Sequence, residues 1–194
     1  MQSDNLLITV AFNDLIFTQA EIKIIEPLFQ KINVTKGTIL LHADDLVEFQ
    51  YYILDGCLRT YHTDTHGKEH TIQFGINDWW VSDYTAFVNS GKAILTIEAL
   101  QDSTLYKISY EDMNYLYSEI PKIDRYFRIK LERSFAAFQK RIVVNLSQSA
   151  KERYLTFIST HPEIVKNLKN YHIASYLGIT TESLSRIKKE LHNF

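Results

Sequence analysis

Cysteine is almost absent from this chain: Cys57 is the only one among 194 residues. A single thiol excludes an intramolecular disulfide framework and any four-cysteine zinc or iron–sulfur site within one chain. Cys57 sits in an apolar, strand-like run and reads as a small buried hydrophobe. No apolar run reaches 18 residues, so no transmembrane helix is expected. The opening MQSDNLLITVAFNDLIF lacks a positive n-region and a small-residue cleavage site, so a signal peptide is not expected either. A nucleophile elbow, a Gly-rich phosphate loop and paired catalytic carboxylates are also missing, and with them the usual signs of an enzyme. Repeats and low-complexity tracts are absent. These absences leave a cytoplasmic, non-enzymatic chain with no resident cofactor or metal as the expectation. Its 45% hydrophobic and 13% aromatic content suffices for substantial cores.

Positive charge is scarce in the first 120 residues. They hold 7 Lys/Arg against 17 Asp/Glu, a net of −10, whereas residues 121–194 hold 14 against 6, a net of +8. The near-neutral total of 21 basic and 23 acidic residues hides this split. A polyanion would be attracted by the second part and repelled by the first.

The texture of the chain changes at the same place. Residues 18–32 predict a helix, with Thr18 and Glu21 as a capping box and Ile22, Ile25, Leu28, Phe29 and Ile32 on one face. From residue 34 to 108, five of the six glycines separate short β-branched and aromatic runs at 38–42, 49–54, 57–63, 69–74, 94–99 and 104–109. Such runs with turn signals between them predict an antiparallel sandwich or barrel. A short helix is expected from Tyr110 to Leu116. Pro121 then opens a helix running to about Leu146, roughly 37 Å long. Its Leu131, Phe135, Phe138 and Ile142, spaced 4, 3 and 4, form a coiled-coil seam for a second copy. Ile129, Ala136 and Val143 form a second, flanking stripe; one stripe can pack on the chain's own β domain, and the other needs a partner. Ser149 and Glu152 make another capping box, before a helix through Tyr154, Leu155, Phe157 and Ile158 that His161-Pro162 stops. A short segment follows at 163–168.

The last 25 residues, NYHIASYLGITTESLSRIKKELHNF, spell a helix-turn-helix. Ile173, Ala174 and Leu177 share a face of one short helix. Gly178 supplies the positive φ at its end, and Ile179 fills the turn. Thr180 caps a second helix whose Leu184, Ile187 and Leu191 point inward. Its other face offers Thr181, Glu182, Ser185, Arg186 and Lys189, a short-polar-plus-arginine surface suited to a DNA major groove. Arg186 is suited to a guanine, Glu182 to a cytosine amine and Thr181 to a thymine methyl. Thr180, Ser183 and Lys188 or Lys189 are the expected phosphate contacts.

An acidic β domain, a long dimer helix and a basic helix-turn-helix together resemble the cyclic-AMP receptor protein/Fnr superfamily of bacterial transcription regulators. KGTILLHADD…QYYILDGCLRTY resembles the superfamily's β-roll, and ITTESLSRIKKEL its recognition helix. ERYLTFISTHPEI with IASYLGITTESLSRI is similar to a divergent branch common in the Bacteroidetes. The resemblance covers nearly the whole chain. It implies an α+β fold: a β-roll sensor like a cyclic-nucleotide-binding domain or cupin jelly roll (1–120), a dimerisation helix (121–147) and a DNA-binding domain (148–194). It implies base contacts from Glu182 and Arg186, a homodimer on palindromic double-stranded DNA, and RNA polymerase as a candidate partner. Thr181 departs from the arginine of the best-known members. No β-wing is expected after the second helix.

The sensor half departs further. Members that bind cyclic nucleotides carry Gly-Glu in a phosphate cassette, then Arg followed by Ser or Thr. Val81 and Ser82 stand at the first pair and Ala93 and Ile94 near the second, with Lys92 the nearby cation. Without the glutamate for the ribose and the arginine for the phosphate, cyclic AMP is not an expected ligand. Trp79, Trp80, Ser82 and Tyr84 are candidates for lining an altered effector pocket. His42, His62, His66 and His70 raise the alternative of a metal-dependent cupin-type enzyme, but the close His-x-His pair of such a site is missing. A dimerisation or interaction module that no longer binds DNA is the other alternative.

Overall fold

Alternation of side chains between the two faces of each strand builds two four-stranded antiparallel sheets from the first part of the chain. The computed structural model describes residues 6–89, 91–165 and 168–192. It opens with α1 (Leu6–Ala11), α2 (Gln19–Ile25) and a 3-10 turn (Glu26–Leu28). The strands follow: β1 (Gln30–Val34), β2 (Ile39–Leu41), β3 (Phe49–Asp55), β4 (Cys57–Thr63), β5 (Glu69–Ile76) and β6 (Trp80–Val81). After α3 (Tyr84–Phe87) come β7 (Thr96–Ala99) and β8 (Ser103–Ser109). The rest is helical: α4 (Tyr110–Glu119), α5 (Pro121–Ser147), α6 (Ala150–Thr160), α7 (Pro162–Val165), α8 (Asn170–Leu177) and α9 (Thr181–His192). One sheet has the order β1-β8-β3-β6 and the other β2-β7-β4-β5.

The sheets face each other across a core of Ile53, Leu58, Val81, Ile97 and Leu105. The chain passes from the first sheet to the second at Gly56, whose φ is +127° and where a Cβ would lie 2.1 Å from Ser103 Oγ. Only glycine fits there. The outer face of the first sheet carries Tyr52, Tyr106 and Ile108, which pack on α1, α2, α4 and the start of α5 through Phe12, Ile25, Leu116, Ile123, Tyr126 and Phe127. A third core joins α6 to α9 and takes in Phe74 of β5.

Several expectations change here. The helix foreseen over 18–32 ends near Pro27, which has no N–H to continue it. Gln30–Val34 is instead a strand paired with β8, so Phe29 and Ile32 are neighbours in extended chain. The short β6 and the helices α1 and α3 are additional. The strand expected from Ile94 begins at Thr96, because the amides of Ile94 and Leu95 bond elsewhere. In the 163–168 segment α7 covers Pro162–Val165, and Lys166 and Asn167 lie outside the described residues. Both capping boxes form: Thr18 with Glu21 and Ser149 with Glu152 bond reciprocally to each other's backbone. Among the described residues no helix is long and apolar enough to cross a membrane.

Candidate nucleic-acid interface

The interface is positioned by a tight turn. Gly178 adopts φ 67° and ψ 33°, and its N–H reaches back to the carbonyls of Ala174 and Ser175. The Ile179 N–H donates to the Ala174 carbonyl at 3.0 Å, which closes α8. Thr180 then accepts from the Ser183 N–H at 3.2 Å and starts α9. Ile173, Ala174, Leu177, Leu184 and Ile187 are buried between the two helices, and Leu191 packs at their edge. Ala174 is 2% exposed, so a larger side chain has no room there.

The other face of α9 is open. Glu182, Ser185, Arg186 and Lys189 are exposed, as is Thr180, while Thr181 and Ser183 are half-buried. Glu182 accepts from the Thr181 hydroxyl at 3.1 Å. Its own backbone N–H, then the Thr180 and Thr181 hydroxyls, hold its carboxyl below the usual range. It therefore faces outward as an anion, suited to accept from an amine. Lys188 differs from Lys189. It donates to Asn170 Oδ1 at 2.6 Å and lies over the Tyr154 ring, so it is engaged with its own domain and does not stand free as expected for a phosphate contact.

Helix α5 is packed into the apolar core only over its first turns. Ile123, Tyr126 and Phe127 are buried. Beyond them Leu131, Phe135, Phe138 and Ile142 are 48%, 66%, 42% and 54% exposed. The flanking stripe is not covered by the chain's own roll either: Ala136 is exposed and Val143 is 61% exposed, with only Ile129 half-buried. The roll buries apolar side chains of α5 only near its start, and farther along it meets the helix through Arg141.

The proposed effector-pocket residues do not gather at one cavity. Trp80 points away from the space between the sheets, into the outer core against Phe12, Phe29, Tyr52 and Phe127. Trp79 lies toward His161 with centroids 6.5 Å apart. Ser82 donates to the Phe49 carbonyl at 3.0 Å, and Tyr84 to Gln50 Oε1 at 3.2 Å. Strand alternation separates Trp79 from Trp80, which a reading by proximity in the chain overlooked. The histidines have local partners: His70 Nε2 lies 2.8 Å from Asp64 Oδ2, and His62 Nδ1 lies 3.0 Å from the Ile94 carbonyl.

Sequence reasoning missed how the helix-turn-helix is attached. Ser175, on α8, donates to the Glu69 carbonyl and receives hydrogen bonds from the Thr71 N–H and hydroxyl, all at 2.8–3.0 Å. Arg141, on α5, donates to the carbonyls of Ile72 and Thr71 on β5 and of Tyr176 on α8. Arg59 is 1% exposed and bonds Thr71 at 2.9 Å and Glu69 at 2.7 Å. A cleft of about 300 Å³ lies beside these contacts, lined by Arg59, Lys68, Glu69, Tyr171, Ser175 and Thr181 among others. Bonds to backbone carbonyls carry no periodicity, so only the unusual Ser175 and Arg141 on otherwise solvated faces could have hinted at them.

Comparison with known proteins fits this arrangement. Residues 31–119 match the cyclic nucleotide-binding domain. The chain is 24% identical over 184 residues to the transcriptional regulatory protein Btr of Bordetella pertussis, across 85% of this chain and 72% of that protein. A transcriptional regulator of the Crp/Fnr family from Eubacterium rectale superposes with a TM-score of 0.73 at 22% identity, covering 93% of this chain and 85% of the other. Residues 31–119 thus match the cyclic nucleotide-binding domain family, and the chain as a whole is similar to regulators of the Crp/Fnr family. FixK2 of Bradyrhizobium japonicum shares this fold with a TM-score of 0.75 at 17% identity, over 85% of each chain. The mixed fold of antiparallel roll, long helix and helical C-terminal part is common to these proteins, and the relatives are regulators of transcription.

Proposed function

We propose that this Crp/Fnr-type regulator binds palindromic DNA as a homodimer, with residues 1–120 as sensor, 121–147 as dimerisation helix and 148–194 as DNA-binding domain. The observation that carries the reading is the division of α9. Leu184 and Ile187 are buried while Glu182, Ser185, Arg186 and Lys189 face solvent on a part of the chain with net charge +8. Two such helices about 34 Å apart would enter successive major grooves. The exposed seam of α5 supplies the surface that would hold them at that spacing. Arg186 and Glu182 read base edges, and Thr181 meets a thymine methyl. Thr180, Ser183, Ser185 and Lys189 hold the backbone. RNA polymerase and a cytoplasmic setting follow from that role.

The sensor has lost the phosphate cassette of nucleotide-binding members, and cyclic AMP does not regulate it. Supporting this, Ser82 and Ala93 bring neither a carboxylate nor a cation to the positions concerned.

Selection from random duplex DNA tests the reading. A palindrome with half-sites one helical turn apart is expected. Arg186→Ala should cost ~1–3 kcal/mol and relax preference at one base pair per half-site. Lys189→Ala should weaken all sequences alike and flatten the salt dependence. Enrichment of no palindrome, or an unchanged profile for Arg186→Ala, would sink the proposal.

A further inference from the structure

Asp83 is fully buried, at 0% exposure, on the inner side of the roll. An ionised carboxylate in such a place is costly unless its oxygens are satisfied. Here both are. Oδ1 accepts from the Thr85 N–H at 3.0 Å and the Thr85 hydroxyl at 2.6 Å. Oδ2 accepts from the Ile94 N–H at 2.8 Å and the Leu95 N–H at 3.0 Å. Among the described residues Asp83 forms no ion pair with Lys, Arg or His. Four neutral donors from two separated stretches of chain thus converge on one anion. Val81, Ala86, Phe87 and Ala93, next to these segments in the chain, are buried in the core between the sheets. Chemically this is an anion-binding nest. The positions that depart from the nucleotide cassette, Val81-Ser82 and Ala93-Ile94, flank it directly.

We propose that the roll is a self-liganded sensor: its anion nest is filled by the side chain of Asp83. The carboxylate ties the start of α3 to the strand entering β7 and fixes the loop between them. A free carboxylate or phosphate would have to displace a tethered group that has no entropy of association to lose. The roll therefore holds one conformation whether or not an anionic effector is present. This deepens the reading of a sensor without a phosphate cassette. It does not depend on what α9 reads, so a failed DNA selection would leave it standing.

Chemical rescue tests it. Asp83→Ala empties the nest and leaves the four donors buried. Its melting temperature should fall by roughly 10 °C, and formate should restore much of that with a saturable dose response, relative to chloride at equal ionic strength. Asp83→Asn keeps the volume but turns an amide N–H₂ toward donors. It should also melt lower, and formate should not rescue it, because no space is open. The wild-type protein should bind neither inorganic phosphate nor cyclic AMP in calorimetry. Equal stability of Asp83→Ala and wild type, equal formate response in both variants, or phosphate or cyclic AMP binding to the wild type would each overturn the proposal. The wild-type titration decides even if Asp83→Ala does not fold.

Discussion

His172 is 4% exposed, and its Nδ1 has no hydrogen-bond partner among the described residues. Burial first, then the positive charges of Arg59, Lys169 and Lys36, push its pKa down from 6.5 to about 4. His161 is lowered as well, by burial and then by Arg141. The folded chain thus binds these protons less well than the unfolded chain. The contribution is complete above the unfolded value near 6.5 and is lost as pH falls through that value toward about 4. The helix-turn-helix should accordingly loosen in mild acid, by on the order of 3 kcal/mol once His172 is fully protonated. Urea midpoints across that window should fall for the wild type and stay flatter for His172→Leu. A parallel decline in both would remove His172 from the account. The residues hardest to foresee were of this kind. Asp83, Arg141 and Ser175 act through backbone groups that no spacing rule exposes, whereas Gly178 and Ala174 were legible because a tight turn between crossed helices tolerates few alternatives.

Among the elements, α5 carries the sharpest contrast between its two ends. Its 27 residues begin inside a core, at Ile123 and Phe127, and finish with Leu146 83% exposed. Apolar exposure of this extent along one helix is costly in water. Dimer formation through the seam should therefore be measurable by sedimentation at micromolar concentration. Phe138→Glu, which would bury a charge at the seam centre, should yield monomers that keep their helical content. A wild-type monomer would end the dimer reading. The length of α5 and both capping boxes were legible from local patterns. Strand β1 was not, because Phe29 and Ile32 continue a helical spacing even though Pro27 breaks the hydrogen-bond ladder. Trp79 and Trp80 misled for a similar reason. Adjacent residues on an extended chain face opposite ways, and only the sheet decides which of them meets the outer core.

For the whole molecule, the roll and the helix-turn-helix share packing. Phe74 of β5 has its ring centroid 6.2 Å from that of Phe157 and 5.3 Å from that of Tyr176, so the roll supplies part of the third core. Phe74→Ala should cost ~3 kcal/mol and lower the stability of the C-terminal helices more than that of the roll, which hydrogen exchange of the separate elements can resolve. Uniform loss of protection would argue against a shared core. The charge split between the two parts suggested a division of labour, but not that α8 would rest on β5. That contact joins Thr71 to Ser175, 104 positions on, through a single Ser175 hydroxyl, and Arg141 of α5 bonds to both elements beside it.

Arg141 faces three carbonyl oxygens, and its pKa is lowered by burial, with no carboxylate recorded as its partner among the described residues. Carbonyl dipoles held at contact distance out of water are barely affected by dissolved ions, whereas phosphate contacts are weakened steeply by them. Salt should therefore act as a selective solvent for this protein. On the proposed reading it would strip nucleic acid from the outer face of α9 and leave the joint between roll, long helix and α8 fastened, so that Arg141 would let the grip on DNA be tuned by the medium while the architecture behind it stays in register.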